Sequence, residues 1–369
     1  MRYCKRCTMP DTRPGIVFGD DGVCNACKNY DRYQKIDWDK RYEELKQICD
    51  KYRGCNGEGN YDCAIAVSGG KDSHFQVYVM KELMHMTPIL FTVEDNFTMT
   101  EAGKANIRNI SEEFGCTLIA IKPNIKTQKK LTRQMFERYG KPTWMIDRYL
   151  YTYPLHMALK FNTMLIVYGE NISYFYGGVD DEDTYSARKQ IENGVAVGLS
   201  DEELLEMGAQ KEDLALLRAP SIEDIRKLDP IYLSYFMKWN SVQNYIFARS
   251  RGFRDLTNEW NRTHCAENFD QVDSIGYTLH AWLKYPKFGH AMATDYTARF
   301  VRYGMMTREE AIQIVKEHDH ALDPKCIDDF CQFCGYTRTE FYNILETLYN
   351  RDIFTKNERG EWVLKDPIA

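Results

Sequence analysis

From Cys63 onward, short apolar runs alternate with longer stretches whose apolar positions recur every three or four residues. Cys63-Ala64-Ile65-Ala66-Val67, Pro88 to Val93, Thr117 to Ile121 and Met164 to Tyr168 read as four buried strands. Helical spacing fills the intervals at about 72–86, 100–114, 126–139 and 145–161, with Gly115 as a stop for the second. This alternation predicts an α/β fold: a doubly wound parallel sheet with helices on both faces. Ahead of it, Trp38, Tyr42, Leu45 and Ile48 predict a helix over 37–51, closed by the breaker cluster Gly54 to Asn60. Residues 1 to about 30 have little periodicity. Past Gly178 the strand signal fades, and 179–200 reads as a polar loop over a site. Short helices are expected at 201–207, 211–218 and 221–227, and a longer aromatic one from Tyr232 to about Arg249. Others follow near 266–283, 293–303, 307–318, 325–334 and 337–349, before a terminal hairpin over 354–364. The expected division is a knuckle over 1–35, an α/β domain over 36–200 and a helical substrate- or partner-binding region over 201–369.

Composition narrows this modestly. The 369 residues are 44% hydrophobic and 28% charged, as in ordinary globular chains. No apolar run approaches the roughly 20 residues that span a bilayer, and no apolar stretch follows Met1 to Arg6. A cytoplasmic protein is therefore expected. The formal net charge of -6 argues against nucleic acid as the main partner.

Ser68-Gly69-Gly70-Lys71-Asp72-Ser73 lies between the first expected strand and the next helix. Such a turn aims unpaired backbone N–H groups and the positive helix end at one point. Glycines let backbone approach a phosphate, Ser68 and Ser73 add hydroxyls, and Lys71 adds charge. The spacing is neither the Walker pattern nor the dinucleotide G-x-G-x-x-G.

Twelve cysteines in a reducing compartment point away from a disulfide framework. Cys4-x2-Cys7 and Cys24-x2-Cys27, 16 residues apart, fit a closed four-thiolate zinc site. Cys326, Cys331 and Cys334 are a weaker group. Ile327, Phe330, Cys331 and Cys334 fall on one helical stripe, so packing is the favoured reading over a metal cluster.

Downstream, Asp295, Arg299 and Arg302 share a helical face, and Lys284 and Lys287 lie just before it. This group suits a sugar-nucleotide phosphate or a sugar carboxylate; a surface ladder of ion pairs would give the same pattern.

The six-residue loop resembles the SGGxDS signature of the PP-loop ATP pyrophosphatases. The resemblance implies a loop that grips the pyrophosphate of ATP and adenylation of a carbonyl oxygen. It also implies that Val93 offers backbone to adenine and that Gly169-Glu170-Asn171 faces the loop. Three features recur together: the Cys-x-x-Cys opening with Met9-Pro10-Asp11-Thr12-Arg13-Pro14-Gly15, the loop, and Lys284-Tyr285-Pro286-Lys287-Phe288-Gly289 followed by Thr294-Asp295 and the stretch from Arg299 to Ala311. That combination is similar to the N-acetyl sugar amidotransferases of O-antigen and pseudaminic acid biosynthesis, across nearly the whole chain. Those enzymes turn an acetamido group of a nucleotide-activated sugar into an acetamidino group. The implied cofactors are ATP, Mg2+ and a structural Zn2+. Asp72 is a candidate magnesium ligand or a helix N-terminal acid. Glu170 is a candidate for orienting ammonia or taking its proton, or a loop cap. The sequence has no Gly-x-Cys-x-Gly glutaminase elbow. The resemblance implies that ammonia comes from a separate glutaminase subunit through a channelling barrel subunit. A tRNA-thiolating PP-loop enzyme is the alternative.

Overall fold

The computed structural model describes residues 1–178, 182–193 and 198–369. Residues 179–181 and 194–197, within the loop expected over 179–200, lie outside the described residues. Five parallel strands form the main sheet: β1 (Cys63–Ala66), β2 (Pro88–Val93), β3 (Thr117–Ile121), β4 (Leu165–Tyr168) and β5 (Asp229–Tyr232). Their order is β3-β2-β1-β4-β5. Strand side chains alternate between two cores, as a sheet covered on both faces requires. Cys63, Ile65, Leu90, Leu165 and Val167 pack with Leu45, Val77 and Ile110 on one face. Ala64, Ile89, Phe91 and Ile166 pack with Leu131, Met135 and Leu155 on the other. The chain reverses its progress across the sheet between β3 and β4. The crevice beyond the carboxyl ends of β1 and β4 is thus the topological switch point, where open α/β sheets place ligands.

Several expectations need correction. β5 falls between the helices expected at 221–227 and from Tyr232, where no strand was expected, because four residues including Pro230 give no usable period. Proline is tolerated there at the sheet's margin. Pro230 needs to donate nothing: its carbonyl accepts from Ala187, while Tyr232 donates to Tyr185. The single aromatic helix expected over 232–249 is two, Leu233–Phe236 and Ser241–Ser250, the second capped by Asn240. A helix, Asn25–Tyr33, occupies part of the aperiodic N-terminus. The helix expected over 266–283 is only Leu279–Trp282 after a 3-10 turn, Gly276–Thr278. Ahead of that turn, a buried guanidinium replaces the helical ladder. Arg262 donates to the carbonyls of Glu267, Asp270 and Gln271, and the Glu267 carboxylate accepts from the N–H groups of Phe269 and Asp270. The remaining C-terminal helices and a short hairpin, Phe354–Lys356 with Trp362–Leu364, lie close to expectation. Among the described residues no helix is long and apolar enough to cross a membrane.

Candidate active site and metal cluster

β1 runs directly into the phosphate loop, and the helix Lys71–Tyr78 begins at its end. Gly69 holds φ +81°, and a Cβ there would sit 3.0 Å from the Ile107 nitrogen, so only glycine fits both the backbone and the gap. The Ser73 hydroxyl accepts from the Ser68 N–H at 3.1 Å, and the Ser68 hydroxyl accepts from the Gly70 N–H at 3.2 Å. The loop is thus tied to itself before any ligand arrives. At the end of β4, Gly169 and Glu170 stand opposite.

Two cavities meet here. The first, about 290 Å³, is lined by Ser68, Asp72 and Ser73 of the loop but not by its Gly69, Gly70 or Lys71, by Thr92 and Val93 at the end of β2, and by Gly169 and Glu170. The second, about 380 Å³, is lined by Lys71, Asp72, Glu170, Asp270, Lys284, Asp295 and Arg299, with Arg13 from the N-terminal segment. Asp72, Glu170 and Ile172 belong to both walls.

A continuous polar chain joins the two sides of that shared wall. Tyr176 donates to Glu170 Oε1 at 3.3 Å, and Arg299 Nη1 donates to the Tyr176 oxygen at 3.0 Å. Arg299 Nη2 reaches Asp270 Oδ2 at 2.6 Å, and the other Asp270 oxygen is paired with Lys71. Lys71 also meets Asp72 Oδ2 at 2.7 Å, and Asn244 donates to Asp72 Oδ1 at 2.8 Å. The electrostatics follow from these contacts. Burial pushes the Glu170 carboxyl up to about 7, with Asp72 adding to the rise and Lys71 opposing it. Burial would raise Asp270 as well, but Lys71 and Arg299 hold it well below the usual carboxylate range. Burial works against the Lys71 ammonium, and Asp270 and Asp72 more than reverse it.

Of the residues singled out in the C-terminal half, Lys284, Asp295 and Arg299 reach the second cavity. Lys287 and Arg302 do not line it. Lys287 donates to the Gly140 carbonyl at 2.9 Å, and burial pulls its ammonium down to about 8. Arg302 donates to the Phe175 carbonyl at 3.3 Å, beside the N-terminal knuckle. Sequence reading misses four contributors: Asp270, Asn244, Tyr176 and Arg13. Arg13 stands out only as part of the N-terminal motif, and Asp270, Asn244 and Tyr176 stand in none.

The sulfurs of Cys4, Cys7, Cys24 and Cys27 are buried and lie within 4.8 Å of one another. Among the described residues they are the one such group of potential ligands. Tetrahedral thiolates at about 2.3 Å from a zinc ion stand about 3.8 Å apart, and Cys7 Sγ is 3.8 Å from Cys24 Sγ. The donor set therefore fits a metal ion. Cys326 is hydrogen-bonded with Thr278, while Cys331 and Cys334 pack among Phe136, Phe330 and Phe341. They are packing residues.

Comparison with known proteins adds three findings. A family described as LPS biosynthesis protein WbpG-like, C-terminal domain, matches residues 263–367. No curated protein matches the chain. Similar solved structures include the U34-tRNA thiolase NcsA of Methanococcus maripaludis with its [4Fe-4S] cluster, 14% identical, covering 91% of this chain and 96% of that one at a TM-score of 0.29. The NMN synthetase of Francisella tularensis is also 14% identical, over 58% of this chain and 87% of that one, at 0.29. Residues 263–367, the segment similar to the WbpG-like C-terminal domain, supply Asp270, Lys284, Asp295 and Arg299 to the second cavity.

Proposed function

We propose that the protein is an ATP-dependent amidotransferase that converts an acetamido group of a nucleotide-activated sugar into an acetamidino group, in the cytoplasm, for surface-glycan biosynthesis. The observation that carries this reading is the shared wall of Asp72 and Glu170 between a loop-lined cavity and a charged one. ATP would occupy the first cavity, with adenine near Val93 and its phosphates on Ser68 to Ser73. The acetamide would enter from the second.

An amide oxygen is a poor leaving group and must be activated. Its lone pair attacks the α-phosphorus and the bond to the β-phosphate oxygen breaks, releasing pyrophosphate. Ammonia then adds to the imidate carbon, gives up a proton, and AMP leaves with the former amide oxygen. Loop N–H groups and Lys71 stabilise the charge that builds on the phosphates. Asp72 is the carboxylate that would hold Mg2+, whose contribution when bound is to neutralise phosphate charge. Glu170, at the junction, takes the ammonia proton. The four cysteines would hold a structural zinc ion. A glutaminase and a channelling barrel, both separate chains, would supply the ammonia.

Mass spectrometry of incubations with ATP, ammonium and a panel of UDP- and CMP-linked acetamido sugars tests this. The expected product is lighter than its substrate by the difference between O and NH, with AMP and pyrophosphate formed in step. Absence of any such product, together with tight, salt-sensitive binding of bulk tRNA, would replace this reading with tRNA thiolation.

A further inference from the structure

The second cavity is not electrically uniform. At the phosphate loop, two cations, Lys71 and Arg299, meet three carboxyl groups, Asp72, Asp270 and Glu170. At the far end two cations share one carboxylate: Arg13 Nη1 lies 2.8 Å from Asp295 Oδ1, and Lys284 pairs with Oδ2. The other ionisable groups nearby do not cancel this excess. His290, packed behind Asp295, is pushed by burial down to about 3 and stays neutral. Burial also lowers His280, and Glu267 is answered by Arg262.

Arg13 is far in sequence from everything else in this cavity, and the N-terminal knuckle delivers it. It lies in the loop between the two cysteine pairs, where the four sulfurs close 16 residues into a ring. The Thr12 hydroxyl donates to the Phe288 carbonyl at 2.5 Å, and the Thr8 hydroxyl lies 3.1 Å from that of Thr297. Arg308 donates to the carbonyls of Cys4 and Cys7. The knuckle is thereby pinned through Thr8 to the helix Met292–Arg302 that carries Asp295 and Arg299, and through Thr12 and Arg308 to the helices on either side of it.

We infer that Arg13 and Lys284 form the anion-recognising end of the acceptor cavity, so that the knuckle contributes directly to acceptor specificity. The phosphate or carboxylate portion of the acceptor docks there, and its amide points along the cavity to Glu170. Asp295 holds the two cations side by side. It stays ionised because Lys284 and Arg13 overcome the effect of its burial. The inference rests on the amidotransferase reading and gives the acceptor an orientation.

Titration calorimetry on the full chain tests it with four probes: ATP, UDP- and CMP-linked acetamido sugars, and the same sugars free. Arg13→Ala should weaken the nucleotide-linked sugars about tenfold or more and flatten the salt dependence of their binding, while ATP binding is unchanged. Arg13→Lys should recover part of the loss, and Lys284→Met should reproduce it. Unchanged affinity for the linked sugars in both Arg13→Ala and Lys284→Met overturns the inference and leaves the amidotransferase reading standing. A wild-type protein that binds none of the sugars overturns both.

Discussion

Glu170 stands between the two cavities with its carboxyl pushed up to about 7 by burial and by Asp72. As a proton acceptor it works only when ionised, so turnover at constant free ammonia should rise as pH climbs through about 7 and then level off. Glu170→Gln should abolish that limb and lower kcat by roughly 10²-fold; a pH profile of both proteins checks this. Asp270 shows the opposite electrostatics and a different legibility. No motif marks it, because the segment around it is shaped by side-chain bonds from Arg262 and Glu267 to nearby backbone rather than by a periodic element. Its carboxylate neutralises both Lys71 and Arg299 in a buried setting. Asp270→Asn leaves those cations short of a partner and should cost about 3 kcal/mol in chemical denaturation at neutral pH. Its folded-state pKa is depressed below the unfolded value. The stability it supplies is thus present above about pH 4 and lost as pH falls through the lower folded value. The gap between variant and wild type should close in that acidic range.

At the scale of elements, what local pattern encodes was legible and what tertiary contact decides was not. The phosphate loop could be read because the requirements of a strand, a glycine at φ +81° and a helix start leave a dense local signature. β1, β2 and β4 could be read from apolar runs buried on both faces, and β3 from its apolar run alone, since at the sheet's edge Thr117 and Ala120 are exposed rather than buried as expected. β5 could not, since its pairing partner supplies the order that Asp229-Pro230-Ile231-Tyr232 lacks. The cysteine knuckle was legible as a donor set that fits a metal ion but not as a wall of a cavity. Its chemistry lies in four residues, whereas its role depends on Arg13 meeting Asp295, which is 282 positions away. Closing the loop between Cys7 and Cys24 restricts where Arg13 can reach, because metal binding in such knuckles is part of folding. Stripping the metal with a chelator, verified by atomic spectroscopy, should lower the unfolding temperature. It should also weaken nucleotide-sugar binding while ATP binding persists on the separate loop after β1.

Across the whole molecule, the doubly wound sheet brings the loop after β1 and the Gly169-Glu170 turn after β4 to the switch point, and the C-terminal region closes a second cavity against them. This arrangement separates the steps of the proposed reaction in space. The acetamide must reach the α-phosphorus past Asp72, whereas nitrogen is needed only after pyrophosphate has left. With ATP and acceptor but no ammonium, the protein should therefore exchange labelled pyrophosphate into ATP. Glu170→Gln should retain most of this exchange, since its carboxylate acts on the incoming ammonia, and yet lose amidine formation. Arg13→Ala should support exchange at the wild-type maximum rate but with an acceptor KM raised about tenfold, the pattern of lost ground-state binding. If Glu170→Gln loses exchange and amidine formation equally, then Glu170 acts on the first step. The proton it handles would then belong to the acetamide nitrogen.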